Sequence, residues 1–168
     1  MDGPNIDTAD GEHNVDSVRG RAVWTAGYAG HRSADLLRLV EHHDVIVMDI
    51  RLSPRSRVPS WNKGPLAQLL GRHYQHVPEL GNLNYKTGGP VEIADLETGL
   101  QIVTGSERAP LLLCVCAEVS RCHRKVIAEH LIARGWEANE WTWVVEAPSR
   151  VQQLALTLGL DRTERDAS

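Results

Sequence analysis

The sequence has no surplus of positive charge, no long apolar run and no cysteine outside positions 114–122. Each absence removes a class of function. A net charge of −4 gives no overall electrostatic grip on nucleic acid or an anionic membrane, so any basic site must be local. Nothing approaches the ~18 consecutive apolar residues of a membrane span, and no membrane partner is expected. The opening stretch MDGPNIDTADGEHNVDSVRG is acidic and has no apolar core, unlike a signal or transit peptide. Three crowded cysteines, an odd number, make no secreted disulfide framework, and a reduced, cytoplasmic setting is expected. Neither a Walker loop nor a dinucleotide fingerprint occurs, so no cofactor is implied. Internal repeats and low-complexity blocks are also missing.

What is present suits one ordinary domain: 168 residues, 42% of them hydrophobic. Residues 1–20 are polar and aperiodic and read as a flexible acidic arm, and residues 161–168 as a frayed tail. Between them, over 21–160, strand-like runs alternate with helical patterns. Ala22–Ala26 predicts a strand, followed by a helix capped by Ser33 with Leu36, Leu37, Leu39 and Val40 apolar. Val45-Ile-Val-Met48 predicts a strand covered on both faces. A helix over 65–72 and a short strand over 74–77 come next, then a loop over 80–90 and a helix over 91–103. Leu111-Leu-Leu-Cys-Val-Cys116 is the clearest buried strand. The helix after it spans about 120–134, with Val126, Ile127, His130 and Leu131 inward and Gly135 as its stop. A strand within 136–145 carries the alternating Trp141 and Trp143, and Pro148 opens a last helix with Val151, Leu154, Ala155 and Leu158 on one stripe. This alternation predicts a single α/β domain, a three-layer sandwich with a mostly parallel sheet flanked by helices.

In such a sheet, ligands collect at the carboxyl ends of the strands. That places three segments at the site: Gly27-Tyr28, Asp49 to Arg57, and Cys116 to Arg124. Cys114 and Cys116 face the same side of a strand. Cys114 is the more interior, while Cys116 lies where the strand meets the site, near a helix start and several cations that favour the reactive thiolate. The cluster Arg121, His123, Arg124 and Lys125 places positive charge at the positive end of a helix, which costs about 0.3–1 kcal/mol per exposed charge. His123 and Arg124 are the two expected to meet a bound anion there, and Arg121 and Lys125 to face solvent. Glu118 could orient either or act as a general acid or base. Asp49 and Arg51 end a hydrophobic strand on one face, as a paired duo. Ser53, Arg55, Ser56 and Arg57 offer further contacts to phosphate. Trp61 is either a base-stacking surface or a core anchor.

These residues, taken together, resemble the bacterial family called domain of unknown function 488. The resemblance rests on Gly27-Tyr28, on Asp49-Ile-Arg51-Leu-Ser-Pro54-Arg-Ser56, on Leu80-Gly81, and on Cys116-Ala-Glu118 followed by Cys122-His-Arg124. It runs from about Ala22 to Gly159, with one departure at Asn82, where members often carry a second glycine. It implies Asp49, Arg51, Pro54, Ser56, Cys116, Glu118, Cys122, His123 and Arg124 as site residues, and it implies no settled activity. The leading expectation is a cysteine-dependent hydrolase or transferase for an anionic, phosphate-bearing substrate, a nucleotide or nucleic-acid derivative among them. Cys116, Glu118, Asp49 and His123 would be catalytic. Gly27, Tyr28, Arg51, Pro54, Ser56, Cys122 and Arg124 would bind. Two other readings stand: a non-catalytic anion- or nucleic-acid-end-binding module, and a thiol redox or metal-binding protein. Cys114, Cys116, Cys122 and His123 are four soft ligands, but without the C-x-x-C spacing of common zinc knuckles no metal is expected. A Cys116–Cys122 disulfide is the redox alternative. The oligomeric state is not legible.

Overall fold

The computed structural model describes residues 21–144. The expected arm over 1–20, the helix opening at Pro148 and the tail over 161–168 lie outside the described residues. In chain order the elements are β1 (Ala22–Gly27), α1 (Ser33–His43), β2 (Val45–Asp49), α2 (Lys63–Leu70), β3 (Tyr74–His76), α3 (Leu96–Thr104), β4 (Ala109–Cys114), α4 (His123–Ile132) and β5 (Glu137–Glu140). The strands form one sheet in the order β3-β2-β4-β1-β5, and every pairing is parallel. This is the α/β sandwich that strand–helix alternation predicts. No described helix is long and apolar enough to cross a membrane.

The central strands are apolar without interruption because both faces are covered. One layer packs Leu36, Leu39 and Val40 of α1 and Leu66 and Leu70 of α2 against Val45, Val47, Leu111 and Leu113. The opposite layer packs Leu100 and Val103 of α3 and Ile127 and Leu131 of α4 against Val23, Met48, Leu112 and Cys114. Each fully buried large aliphatic side chain is worth about 1.5–3 kcal/mol, so these two layers supply the main drive to fold.

Element ends differ from the sequence expectation for local reasons. Ser33 is the first residue of α1 rather than its cap; Arg32 holds the cap position in an extended conformation and pairs with Asp35 in the first turn. The helix expected over 91–103 begins at Leu96, where the Asp95 carboxylate accepts a hydrogen bond from the Thr98 amide at 3.1 Å. β4 ends at Cys114, leaving Cys116 in the following loop. The last helix of the cysteine segment is preceded by a separate tight turn, Val119–Arg121, and starts only at His123. It stops before Gly135, whose φ of +82° is the left-handed conformation that glycine adopts without strain. Ile127 and Leu131 are buried as expected, whereas Val126 and His130 are half-exposed. β5 is a short polar edge, and Trp141 lies beyond it, buried edge-on against Trp24 at 5.3 Å.

Candidate functional site

The strand order makes β2, β4 and β1 neighbours, so the loops leaving their carboxyl ends converge. Between them opens a cleft of about 590 Å³, with Tyr28, Arg51, Ser56, Cys116, Cys122 and His123 on its walls. Asn82, Asn84 and Tyr85 close it from the 81–91 loop. That loop can cross so tightly because Gly81 has no side chain: a Cβ there would lie 2.6 Å from the Leu52 Cα.

Asp49 and Arg51 are the expected duo, and they are buried together. Arg51 donates to both carboxylate oxygens of Asp49, at 2.7 and 2.5 Å. It also donates to the Tyr28 hydroxyl at 3.0 Å and the Trp61 carbonyl at 2.8 Å, and Tyr74 donates to Asp49 at 2.8 Å. Burial opposes the charge on Arg51, but the Asp49 carboxylate outweighs it and holds the guanidinium protonated. Burial and the same carboxylate push the Tyr74 phenol up. Asp49 therefore sits beneath Arg51, behind the cleft wall. Trp61 is a core anchor: it is buried and stacks on Tyr28 at 4.3 Å, leaving no face for a base.

Arg124 is also elsewhere than expected. It is fully buried and does not line the cleft. Its guanidinium donates to the Cys116 carbonyl at 2.5 Å, the Ala117 carbonyl at 3.1 Å and Glu140 at 2.8 Å. Glu140 in turn accepts from the Thr25 hydroxyl. Arg124 is thus a strut that ties the loop after β4 to the β5 edge. Gly27 belongs to the same packing, since a Cβ there would lie 1.7 Å from the Cys116 oxygen and 3.0 Å from Arg124 Nη1. Gly27 makes room for the strut and is not on the cleft lining. Pro54 is buried off the cleft, with its carbonyl accepting from the Lys63 amide at 3.1 Å. Glu118 is exposed, lies off the cleft and makes no hydrogen bond among the described residues, so it orients neither His123 nor Arg124.

With Arg51 and Arg124 both neutralised by carboxylates, the positive charge at the cleft comes from other residues. Arg55, Arg57 and Arg121 line it, and none forms an ion pair among the described residues. No acidic side chain lines the cleft among the described residues. Arg121 is exposed, as expected, and the tight turn Val119–Arg121 also sets it on the cleft lining. Asn84 and Tyr85 carry no sequence signal of their own and Asn82 stands out only as the departure from a second glycine; the Leu80-Gly81 step lets their loop cross the site.

The sulfurs form the cleft floor. The Sγ atoms of Cys114, Cys116 and Cys122 all lie within 4.8 Å of one another, and all three are free thiols, so the Cys116–Cys122 disulfide is not formed. Cys114 and Cys122 are buried and Cys116 is half-exposed. His123 places Nδ1 at 3.7 Å from Cys114 Sγ and 3.8 Å from Cys122 Sγ, while Nε2 lies 3.0 Å from the Ile50 carbonyl. A carbonyl only accepts, so Nε2 carries a hydrogen, and Nδ1 faces the sulfurs. The Cys114 and Cys122 thiols directed at Cys116 hold it far below the ordinary thiol range, with His123 and Arg124 adding to the effect against burial. Cys114 and Cys122 are pushed up correspondingly. Burial opposes a charge on His123, but the Cys122 sulfur, the Ile50 carbonyl and Cys116 together outweigh it and raise its proton affinity. Chemically, the floor offers three sulfurs within 4.8 Å of one another, one of them half-exposed, with an imidazole nitrogen against the two buried ones.

No curated protein and no solved structure matches the chain. Residues 33–88, which run from α1 through the Asp49–Arg57 loop and β3 into the 81–91 loop, match the family described as Domain of unknown function DUF488, and over that stretch the resemblance read from the sequence holds.

Proposed function

We propose that the protein is an enzyme that binds an anionic, phosphate-bearing substrate in this cleft and acts on it at the sulfur of Cys116, as a hydrolase or transferase. The observation that carries the reading is the meeting, in one cleft, of a half-exposed sulfur with three arginines that, among the described residues, form no ion pair and have no carboxylate beside them on the cleft lining. Guanidinium groups without internal partners bind phosphate oxygens in pairs. A sulfur held as the anion is the form that attacks an electrophilic centre. His123, whose ring lies against Cys114 and Cys122, is the group placed to exchange protons within the cluster. Asp49 and Glu118 lie off the cleft and take no part. Arg51, fixed by Asp49, presents a rigid wall and orients Tyr28.

Thermal-shift titration with pyrophosphate and nucleoside phosphates tests the binding half. The expected result is stabilisation that is reduced in Arg121→Ala and retained in Cys116→Ser. Turnover of a bound phosphate compound by the wild type, lost in Cys116→Ser, tests the chemistry. Binding without turnover would mark a sensor rather than an enzyme, and stabilisation unchanged in Arg55→Ala, Arg57→Ala and Arg121→Ala alike would place the anion elsewhere.

A further inference from the structure

We propose that Cys114, Cys116, Cys122 and His123 form a tetrahedral site for one thiophilic divalent ion of the zinc class, set in the floor of the cleft. The site goes beyond the reading of the cleft as catalytic and shares two residues with it: a bound ion would hold Cys116 as a metal thiolate and would occupy His123 Nδ1, which would then carry no proton within the cluster.

The distances carry the argument. Around a tetrahedral zinc with bonds of about 2.3 Å to sulfur and 2.0–2.1 Å to nitrogen, neighbouring donors lie about 3.8 Å apart (sulfur to sulfur) and about 3.6 Å apart (sulfur to nitrogen). Here the three sulfurs are mutually within 4.8 Å, and the imidazole Nδ1 stands 3.7 and 3.8 Å from two of them. His123 is also oriented as a ligand. Its outer nitrogen is fixed by the Ile50 carbonyl at 3.0 Å, the outer hydrogen bond that sets the tautomer of metal-binding histidines. The donor set is three sulfurs and one imidazole with no carboxylate, which selects zinc and other soft ions over magnesium or calcium.

The spacing C-x-C-x5-C-H hides the site because no C-x-x-C knuckle builds it. Cys114 is the last residue of β4 and Cys116 lies two residues on, in the loop, with its sulfur on the same side. The tight turn Val119–Arg121, closed by the Cys122 amide donating to the Val119 carbonyl at 3.0 Å, folds the chain back. Cys122 and His123 then face the strand end from the start of α4. Three thiolates and one dication leave a net negative charge. Arg124 lies buried beside the cluster, its Nε without a hydrogen-bond partner among the described residues, and its charge is shared with Glu140. Cys116 is the half-exposed ligand, so the sulfur that faces the cleft would be one held deprotonated by metal.

The full chain, purified under reductant without a metal-affinity step, is expected to carry about one equivalent of zinc by elemental analysis, the stoichiometry of a four-donor site. Chelator-treated protein titrated with cobalt(II) is expected to develop intense thiolate-to-cobalt charge-transfer and tetrahedral d–d absorption. His123→Ala and Cys122→Ser should weaken or abolish that spectrum, whereas Glu118→Gln should leave it unchanged. Trace metal in the purified protein, together with no charge-transfer absorption on cobalt addition to the wild type, overturns the site even if the variants fail to fold. The two proposals separate cleanly: pyrophosphate binding without metal sinks only the metal site, and metal without pyrophosphate binding sinks only the proposed function.

Discussion

At Gly27 the difference of one methyl group decides whether the loop after β4 can close. A Cβ at this position would meet the Cys116 carbonyl oxygen at 1.7 Å, and that atom is backbone held by Arg124, so it cannot swing aside. Gly27→Ala should therefore force backbone movement and cost at least about 1–3 kcal/mol, seen as a lowered urea midpoint. It should also displace Cys116 and diminish both turnover and cobalt absorption. A stability within about 0.5 kcal/mol of wild type would show that the loop is not clamped as described. Arg124 illustrates the same scale: a cation at a helix start reads from sequence as an anion ligand, yet its partners are two loop carbonyls and Glu140, sixteen residues downstream. Sequence position reveals that such a residue breaks a local rule and leaves its partner undetermined.

At the scale of elements, the strands that sequence reveals best are those buried on both faces, β2 and β4, because an unbroken apolar run leaves little else for the segment to do. β5, Glu137-Ala-Asn-Glu140, is nearly invisible by that measure: it is an edge strand with mostly exposed side chains, so no hydrophobic pattern marks it. Helix starts differ from the hydrophobic pattern where capping decides them. α3 begins where Asp95 accepts from the Thr98 amide, and Asp95→Ala should lower stability by about 1 kcal/mol with no change in metal content or anion affinity. Calorimetry on the variant checks this, and an undiminished melting temperature would show that packing alone sets the start of α3. The separate turn before α4 matters most for the site, because it brings both Arg121 and Cys122 round to the cleft.

At the scale of the whole molecule, a chain of net charge −4 gathers Arg55, Arg57 and Arg121 around one opening. Attraction by exposed guanidiniums is screened within about 10 Å at 0.1 M salt. Pyrophosphate affinity should therefore fall steadily as salt rises from 20 to 500 mM, and each single Arg→Ala change should weaken it by about threefold to tenfold, or roughly 0.7–1.4 kcal/mol. Isothermal titration across salt concentrations measures both; affinity indifferent to salt would count against a guanidinium-lined site. The sequence alone determined the α/β class, the parallel layering and the three loops that must meet at the strand ends, since hydrophobic periodicity and the handed crossover of parallel strands are local or near-local properties. Only the tertiary structure decided which charges are neutralised, which thiols face one another and which arginines remain at the opening. Those outcomes depend on distances between residues far apart in the chain, and the energy of a charge or a sulfur is set by what stands within a few ångströms of it in space.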